Sequence, residues 1–114
     1  YIGNGTFTMT GNAAIRGNAA KNGGGISISG NSGSAKAEMK GGEVSGNKAA
    51  YGGGVYVFKG RTFTLSGGSV ARNEAEFVGG GVYVESGAAF TQSRGVVVSG
   101  NAAGDGEGED VFKQ

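Results

Sequence analysis

One short phrase occurs three times in this chain. Gly23-Gly24-Gly25-Ile26-Ser27-Ile28, Gly52-Gly53-Gly54-Val55-Tyr56-Val57 and Gly79-Gly80-Gly81-Val82-Tyr83-Val84 follow one another at spacings of 29 and 27 residues. A glycine triplet lets the backbone turn a corner too tight for a Cβ, and the alternating β-branched residues behind it favour a strand with one buried face. Recurrence at this period marks a stacked array, in which each repeat buries its apolar side against its neighbours.

Two further phrases share the period. Thr6-Phe7-Thr8-Met9, Lys36-Ala37-Glu38-Met39, Thr62-Phe63-Thr64-Leu65 and Ala89-Phe90-Thr91-Gln92 alternate with the two-residue period of a strand. Ile15, Val44, Val70 and Val98 each centre a shorter strand. The spacing predicts an all-β fold, a right-handed parallel β-helix (solenoid) of about four coils with three short strands per coil; the hand follows from the rule for parallel crossovers. Residues 1–114 then form a single solenoid block, either a segment of a longer array or a self-stacking unit. Columns of like residues should run along its interior: Phe7, Ala37, Phe63, Phe90; Met9, Met39, Leu65, Gln92; Ile15, Val44, Val70, Val98; Ile26, Val55, Val82, Val111. Asn18, Asn47, Asn73 and Asn101 form another, each three residues after the buried Ile or Val. Asparagine suits a bend and can hydrogen-bond the amide one rung away, so this column is read as a structural ladder.

Composition removes whole classes of function. The chain has 27 glycines without a Gly-X-Y period, which excludes collagen, and no Cys or His, which removes disulfides, thiolate metal sites and the commonest general base. A net charge of +1 with no block of like charge points away from nucleic acid. No stretch approaches the ~18 apolar residues that span a bilayer, so membrane insertion is not expected.

Three surfaces remain as candidate sites. Tyr1, Tyr56, Tyr83 and Phe112, with Ser27 interrupting them, should face outward from the corner strand as an aromatic column; exposed rings there could stack on sugar rings, and the plainer reading is that neighbouring rings cover the sheet and each other. Hydroxyls at Thr6, Thr8, Thr10, Thr62, Thr64, Ser66, Thr91 and Ser93 form a second face resembling the flat Thr-x-Thr arrays of ice-binding solenoids, but Lys36, Glu38 and Lys40 break it into an ordinary solvated surface. The acidic run Asp105, Glu107, Glu109 and Asp110 matches part of a calcium-binding nonapeptide, whose sites draw ligands from adjacent copies. Calcium is the one cofactor it admits. For catalysis the nearest grouping is Arg72, Glu74 and Glu76, without loops long enough to wall a cleft, so no catalytic residue is assigned and an enzyme is not expected.

The pairing of [Ile/Val]-x-x-Asn with Gly-Gly-Gly-[Ile/Val] resembles the short repeats of polymorphic outer-membrane proteins and related bacterial adhesin-like β-helix proteins, which carry Phe-x-x-Asn and Gly-Gly-Ala-[Ile/Leu/Val]. The first motif stands here at Ile15–Asn18, Val44–Asn47, Val70–Asn73 and Val98–Asn101, the second at Gly24-Gly25-Ile26, Gly53-Gly54-Val55 and Gly80-Gly81-Val82. Ile or Val replaces Phe, and Gly replaces Ala. The resemblance implies an exported, extracellular or cell-surface bacterial segment. The expected function is structural or adhesive, with self-association by end-to-end coil stacking into filaments and contact with a glycan or host surface. A carbohydrate-binding module using the aromatic column is the alternative, and a polysaccharide-degrading enzyme the third reading.

Overall fold

The structure, a computed structural model, describes residues 1–29, 35–105 and 108–114. Among these, sixteen strands wind through four coils. Sheet A contains β1 (Thr6–Met9), β5 (Lys36–Met39), β9 (Thr62–Leu65) and β13 (Ala89–Gln92). Sheet B contains β2 (Ala14–Arg16), β6 (Glu43–Ser45), β10 (Ser69–Ala71) and β14 (Val97–Ser99). Sheet C contains β3 (Ala19–Asn22), β7 (Lys48–Tyr51), β11 (Glu74–Val78) and β15 (Ala102–Ala103), and sheet D contains β4 (Ile26–Ile28), β8 (Val55–Val57), β12 (Val82–Val84) and β16 (Val111–Lys113). Every pairing is parallel and joins a strand to its counterpart one coil away. The chain is a parallel β-solenoid.

Each coil has four strands where three were expected. Sheet C is the addition, built from segments that read as part of the bend after the asparagine. Its strands carry no alternating β-branched residues, and they align Ala20, Ala49, Ala75 and Ala103, of which Ala49 and Ala75 are buried. Alanine packs a narrow corner of the core but contributes little strand preference of its own. The backbone ladder with neighbouring coils makes these segments strands.

The other columns follow the alternation. Phe7, Ala37, Phe63 and Phe90 pair in register, as do Met9, Met39, Leu65 and Gln92. In sheet B the column is Ile15, Val44, Val70 and Val98, and in sheet D Ile26, Val55, Val82 and Val111 stand beside Ile28, Val57, Val84 and Lys113. Phe63, Met39, Leu65, Ile28, Val44, Val55, Val57, Val70 and Val82 are fully buried, mostly within the two middle coils. Each such side chain contributes about 1.5–3 kcal/mol relative to exposure. Phe7, Ile15, Phe90 and Val98 in the outer coils are half-buried, and Gln92 is exposed to water.

One irregularity shapes the outer surface. Between Ala75 and Val78, β11 carries one residue more than β7 has between Ala49 and Tyr51. This bulge places Phe77 outside the solenoid, in ring contact with Tyr51 at 5.2 Å.

Candidate functional site

The bend between sheets B and C holds the asparagines. Asn47, Asn73 and Asn101 are buried there, while Asn18 in the first coil is exposed. Each donates both its backbone N–H and its Nδ2 to the Oδ1 of the next asparagine: Asn18 to Asn47 at 3.0 and 3.2 Å, Asn47 to Asn73 at 3.0 and 3.0 Å, Asn73 to Asn101 at 2.9 and 3.0 Å. The second Nδ2 hydrogen goes to a main-chain carbonyl one coil back, from Asn47 to Ile15, from Asn73 to Val44 and from Asn101 to Val70. A buried amide left unpaired costs about 1–3 kcal/mol, and the ladder leaves none so. Its role is structural.

The turn before the ladder needs a left-handed residue. Gly17, Gly46 and Gly100 meet that need with φ of +66°, +64° and +67°, and Arg72 adopts +55° in the same column. The strain for a residue with a Cβ is about 1–2 kcal/mol. Arg72 donates to Glu43 Oε1 at 2.9 Å, an exposed pair that offsets part of it. The Glu43 carboxyl lies below its ordinary pKa, first because Ser45 Oγ donates to it and then because the Arg72 and Arg16 charges stand near. Arg72 is thereby drawn to the sheet B face. Glu74 and Glu76 instead lie exposed on β11 beside an open depression with Lys21, Lys48 and an alanine floor of Ala20, Ala49 and Ala50. The three residues weighed for catalysis do not form one group.

The aromatic column is present in register, and its rings cover one another as the plainer of the two readings has it, not as an exposed surface. Tyr56 and Tyr83 are only 8% and 7% exposed. Their rings stack face to face at 4.7 Å and 8°, and Phe112 continues the stack against Tyr83 at 5.1 Å. Phe58 closes on Tyr56 at 4.4 Å, and Tyr51 meets Tyr83 edge-on at 5.6 Å. Val78 completes a second apolar cluster, outside the sheets. Ring faces that would meet a sugar already meet one another. Tyr1, 85% exposed, heads the column beyond the gap at Ser27 and takes no part in the stack.

Burial raises the Tyr56 phenol pKa far above 10, with further contributions from its hydrogen bond to Glu85 Oε2 at 2.8 Å and from the Glu85 charge. Tyr83 is raised in the same direction, again first by burial. Neither phenol ionises near neutrality, and Tyr56 acts as a fixed donor that orients Glu85, whose Oε1 accepts from the Lys59 N–H at 3.2 Å. The aromatic partners Tyr51, Phe58 and Phe77 were not singled out in the sequence. Tyr51 and Phe77 both lie just before a glycine corner, and that shared placement was the available signal.

The acidic run considered for calcium is only partly described. Glu107 lies outside the described residues. Among the described residues, no three carboxylate, imidazole or thiol groups come together as a metal centre. Asp105 and Glu109 are exposed, and Asp110 turns inward, where its Oδ1 accepts from the Asn101 backbone N–H and Nδ2 at 3.2 and 3.0 Å. Its carboxylate serves the ladder.

No family model matches the sequence, and comparisons with curated proteins and with solved structures return no match.

Proposed function

We propose that this chain is a rigid structural segment of an exported bacterial surface or matrix protein, its strand faces held at fixed spacing for adhesion. The observation that carries this reading is the continuity of the interior. Apolar columns and a hydrogen-bonded asparagine ladder run through all four coils, so the body resists bending at the coil boundaries where a flexible array would yield. The resemblance to short adhesin-like repeats supplies the cell-surface placement. Antibodies raised against the folded chain should label intact source cells, and brief protease treatment of those cells should remove the label. Signal only after cell lysis would overturn the placement.

The carbohydrate-binding alternative loses much of its support with the burial of Tyr56 and Tyr83. What remain to it are Tyr1, 85% exposed, and Phe77, 37% exposed at the bulge. Retention on a glycan array that disappears in Tyr1→Ala with Phe77→Ala would revive that reading, and equal behaviour of the two proteins would remove it.

A further inference from the structure

The three glycines of each corner answer to two different demands. Gly23, Gly52, Gly79 and Gly108 have φ of +67°, +65°, +72° and +56°, a conformation imposed by the turn of their own coil. The second and third glycines answer to the coil that follows. A Cβ on Gly24, Gly53 or Gly80 would stand 2.5 Å from the carbonyl oxygen of the equivalent residue one coil on. On Gly25, Gly54 or Gly81 it would meet the next coil's carbonyl at 2.8, 2.6 and 2.4 Å, and that coil's asparagine Nδ2 at 3.0, 2.9 and 2.8 Å. The fourth corner reads Gly108-Glu109-Asp110. It keeps the glycine its own turn requires and lacks the two that a following coil requires.

Asp110 also finishes the ladder. Along the asparagine column the backbone N–H and one Nδ2 hydrogen of each residue point toward the later coil, so Asn101 presents both to that end. The Asp110 carboxylate takes both, at 3.2 and 3.0 Å, where the internal rungs span 2.9 to 3.2 Å. A carboxylate suits the last place because it accepts without presenting a new donor beyond itself. Two interior columns turn polar at the same end: Met9, Met39 and Leu65 are followed by Gln92, and Ile28, Val57 and Val84 by Lys113, both exposed.

We propose that the fourth coil is a terminal cap built on Asp110, which stands in for a fifth coil's asparagine and bars any further coil, a second copy's included, from stacking in register on that end. The assignment rests on residues 109 and 110 themselves and not on where the sequence stops. It replaces seamless head-to-tail stacking, the expectation from the repeat phase, with an array that has a closed end. In the first coil, Asn18 is exposed at the head of the ladder, and Ile2, Phe7 and Ile15 are half-buried.

A tandem protein tests this, with residues 1–111 joined directly to a complete second copy so that Tyr1 and Ile2 of that copy fall in the places of Phe112 and Lys113. Glu109→Gly with Asp110→Gly is made in the single chain and in the first copy of the tandem. In the single chain the pair should lower Tm by about 5–10 °C. In the tandem it should raise Tm and merge two unfolding steps into one, because a following coil now fits. The same sign of change in both proteins would overturn the proposal. Exchange of the Asn101 side-chain amide, followed by NMR in the single chain, reads the cap directly. It should quicken at least about tenfold in Asp110→Ala and stay slow in Asp110→Asn, which keeps the acceptor oxygen. An Asp110→Ala amide as protected as the native one would equally overturn it.

Discussion

Two columns in this solenoid are buried against their hydropathy or their orientation, and they are buried in opposite ways. The asparagines are polar and lie inside the coil; the tyrosines lie outside it, yet Asn47 and Asn73 are sealed from water and Tyr56 and Tyr83 nearly so. In both, a residue is satisfied by its own counterpart one coil away. The columns differ in how that satisfaction is shared. Each asparagine is donor to one neighbour and acceptor from the other, so removing one strands groups on another that cannot relax into solvent. Each aromatic ring adds contact area and a ring pair, and the loss of one leaves its neighbours intact beside a gap.

Asn73→Ala should therefore have the largest effect. It strands the backbone N–H and Nδ2 of Asn47 and removes the Nδ2 donor to Val44 O and to Asn101 Oδ1, which keeps the backbone N–H of residue 73. At about 1–3 kcal/mol for each stranded buried donor, the loss should be about 4 kcal/mol, read as a lower urea midpoint. Asn18→Ala, at the exposed head of the same ladder, should cost under about 1 kcal/mol. Equal effects at the two positions would show that the ladder is not cooperative and would erase the contrast with the outer stack.

Next in size is Tyr83→Ala. That ring is held between Tyr56 and Phe112 and met edge-on by Tyr51, so its removal should cost about 3 kcal/mol, while Tyr83→Phe, which keeps every ring contact, should stay within about 0.5 kcal/mol. A large effect of Tyr83→Phe would move the outer column toward the hydrogen-bonded kind.

Tyr56 sharpens the contrast through pH. Its phenol pKa is higher in the folded chain than the ordinary 10, because burial and then the Glu85 hydrogen bond oppose ionisation. The folded state thus holds this proton more tightly than the unfolded state. That stability is fully present below pH 10 and is lost as pH rises from there toward the raised folded value. Chemical unfolding at a series of pH values should show the decline steepening above 10 in the native chain and flattening in Tyr56→Phe. At neutral pH the same substitution should cost about 1–2 kcal/mol for the lost bond to a charged acceptor. The asparagines themselves carry no titratable group, so the contribution of their ladder should not change across this range.

The inner columns were legible in the sequence because burial inside a coil leaves a two-residue alternation, and stacking repeats it at the coil spacing. Val44, Val70 and Val98 announce themselves twice over. Sheet C was not legible: Ala19-Ala20-Lys21-Asn22 and Lys48-Ala49-Ala50-Tyr51 contain neither alternation nor β-branched residues, and only the neighbouring coils make them strands. The outer column was legible as a register, and mutual covering of its rings was the plainer of two readings, but the partners that complete the covering were not legible. Tyr51 and Phe77 come from a different sheet, and the extra residue in β11 that brings Phe77 outward has no local mark in the sequence. Asp110 was visible as a departure from the glycine triplet. Its meaning required knowing that the third glycine of a corner is kept bare by the coil beyond it.

The gap at Ser27 offers the smallest and most discriminating change. Ser27 pairs in register with Tyr56 and lines an open depression with Tyr1, Asn22 and Gly23, so a ring placed there has room to continue the stack. Ser27→Tyr should gain about 0.5–1.5 kcal/mol from the ring pair and give back much of it in side-chain ordering. Asn22 stands where the next coil has Tyr51, so that position of the first coil adds no second ring beside the new one. The net should be about 0.5 kcal/mol, a rise in Tm of about 2–4 °C. If the column is built from ring pairs, this gain disappears when Tyr56 is replaced by Leu, and Ser27→Leu in the native background does not reproduce it. A Leu that stabilises as well as Tyr would make the outer column a matter of covered area alone. A single-residue gap is then tolerated there for the same reason it is absent from the inner ladder: area is lost locally, whereas a missing asparagine passes its deficit to the next coil.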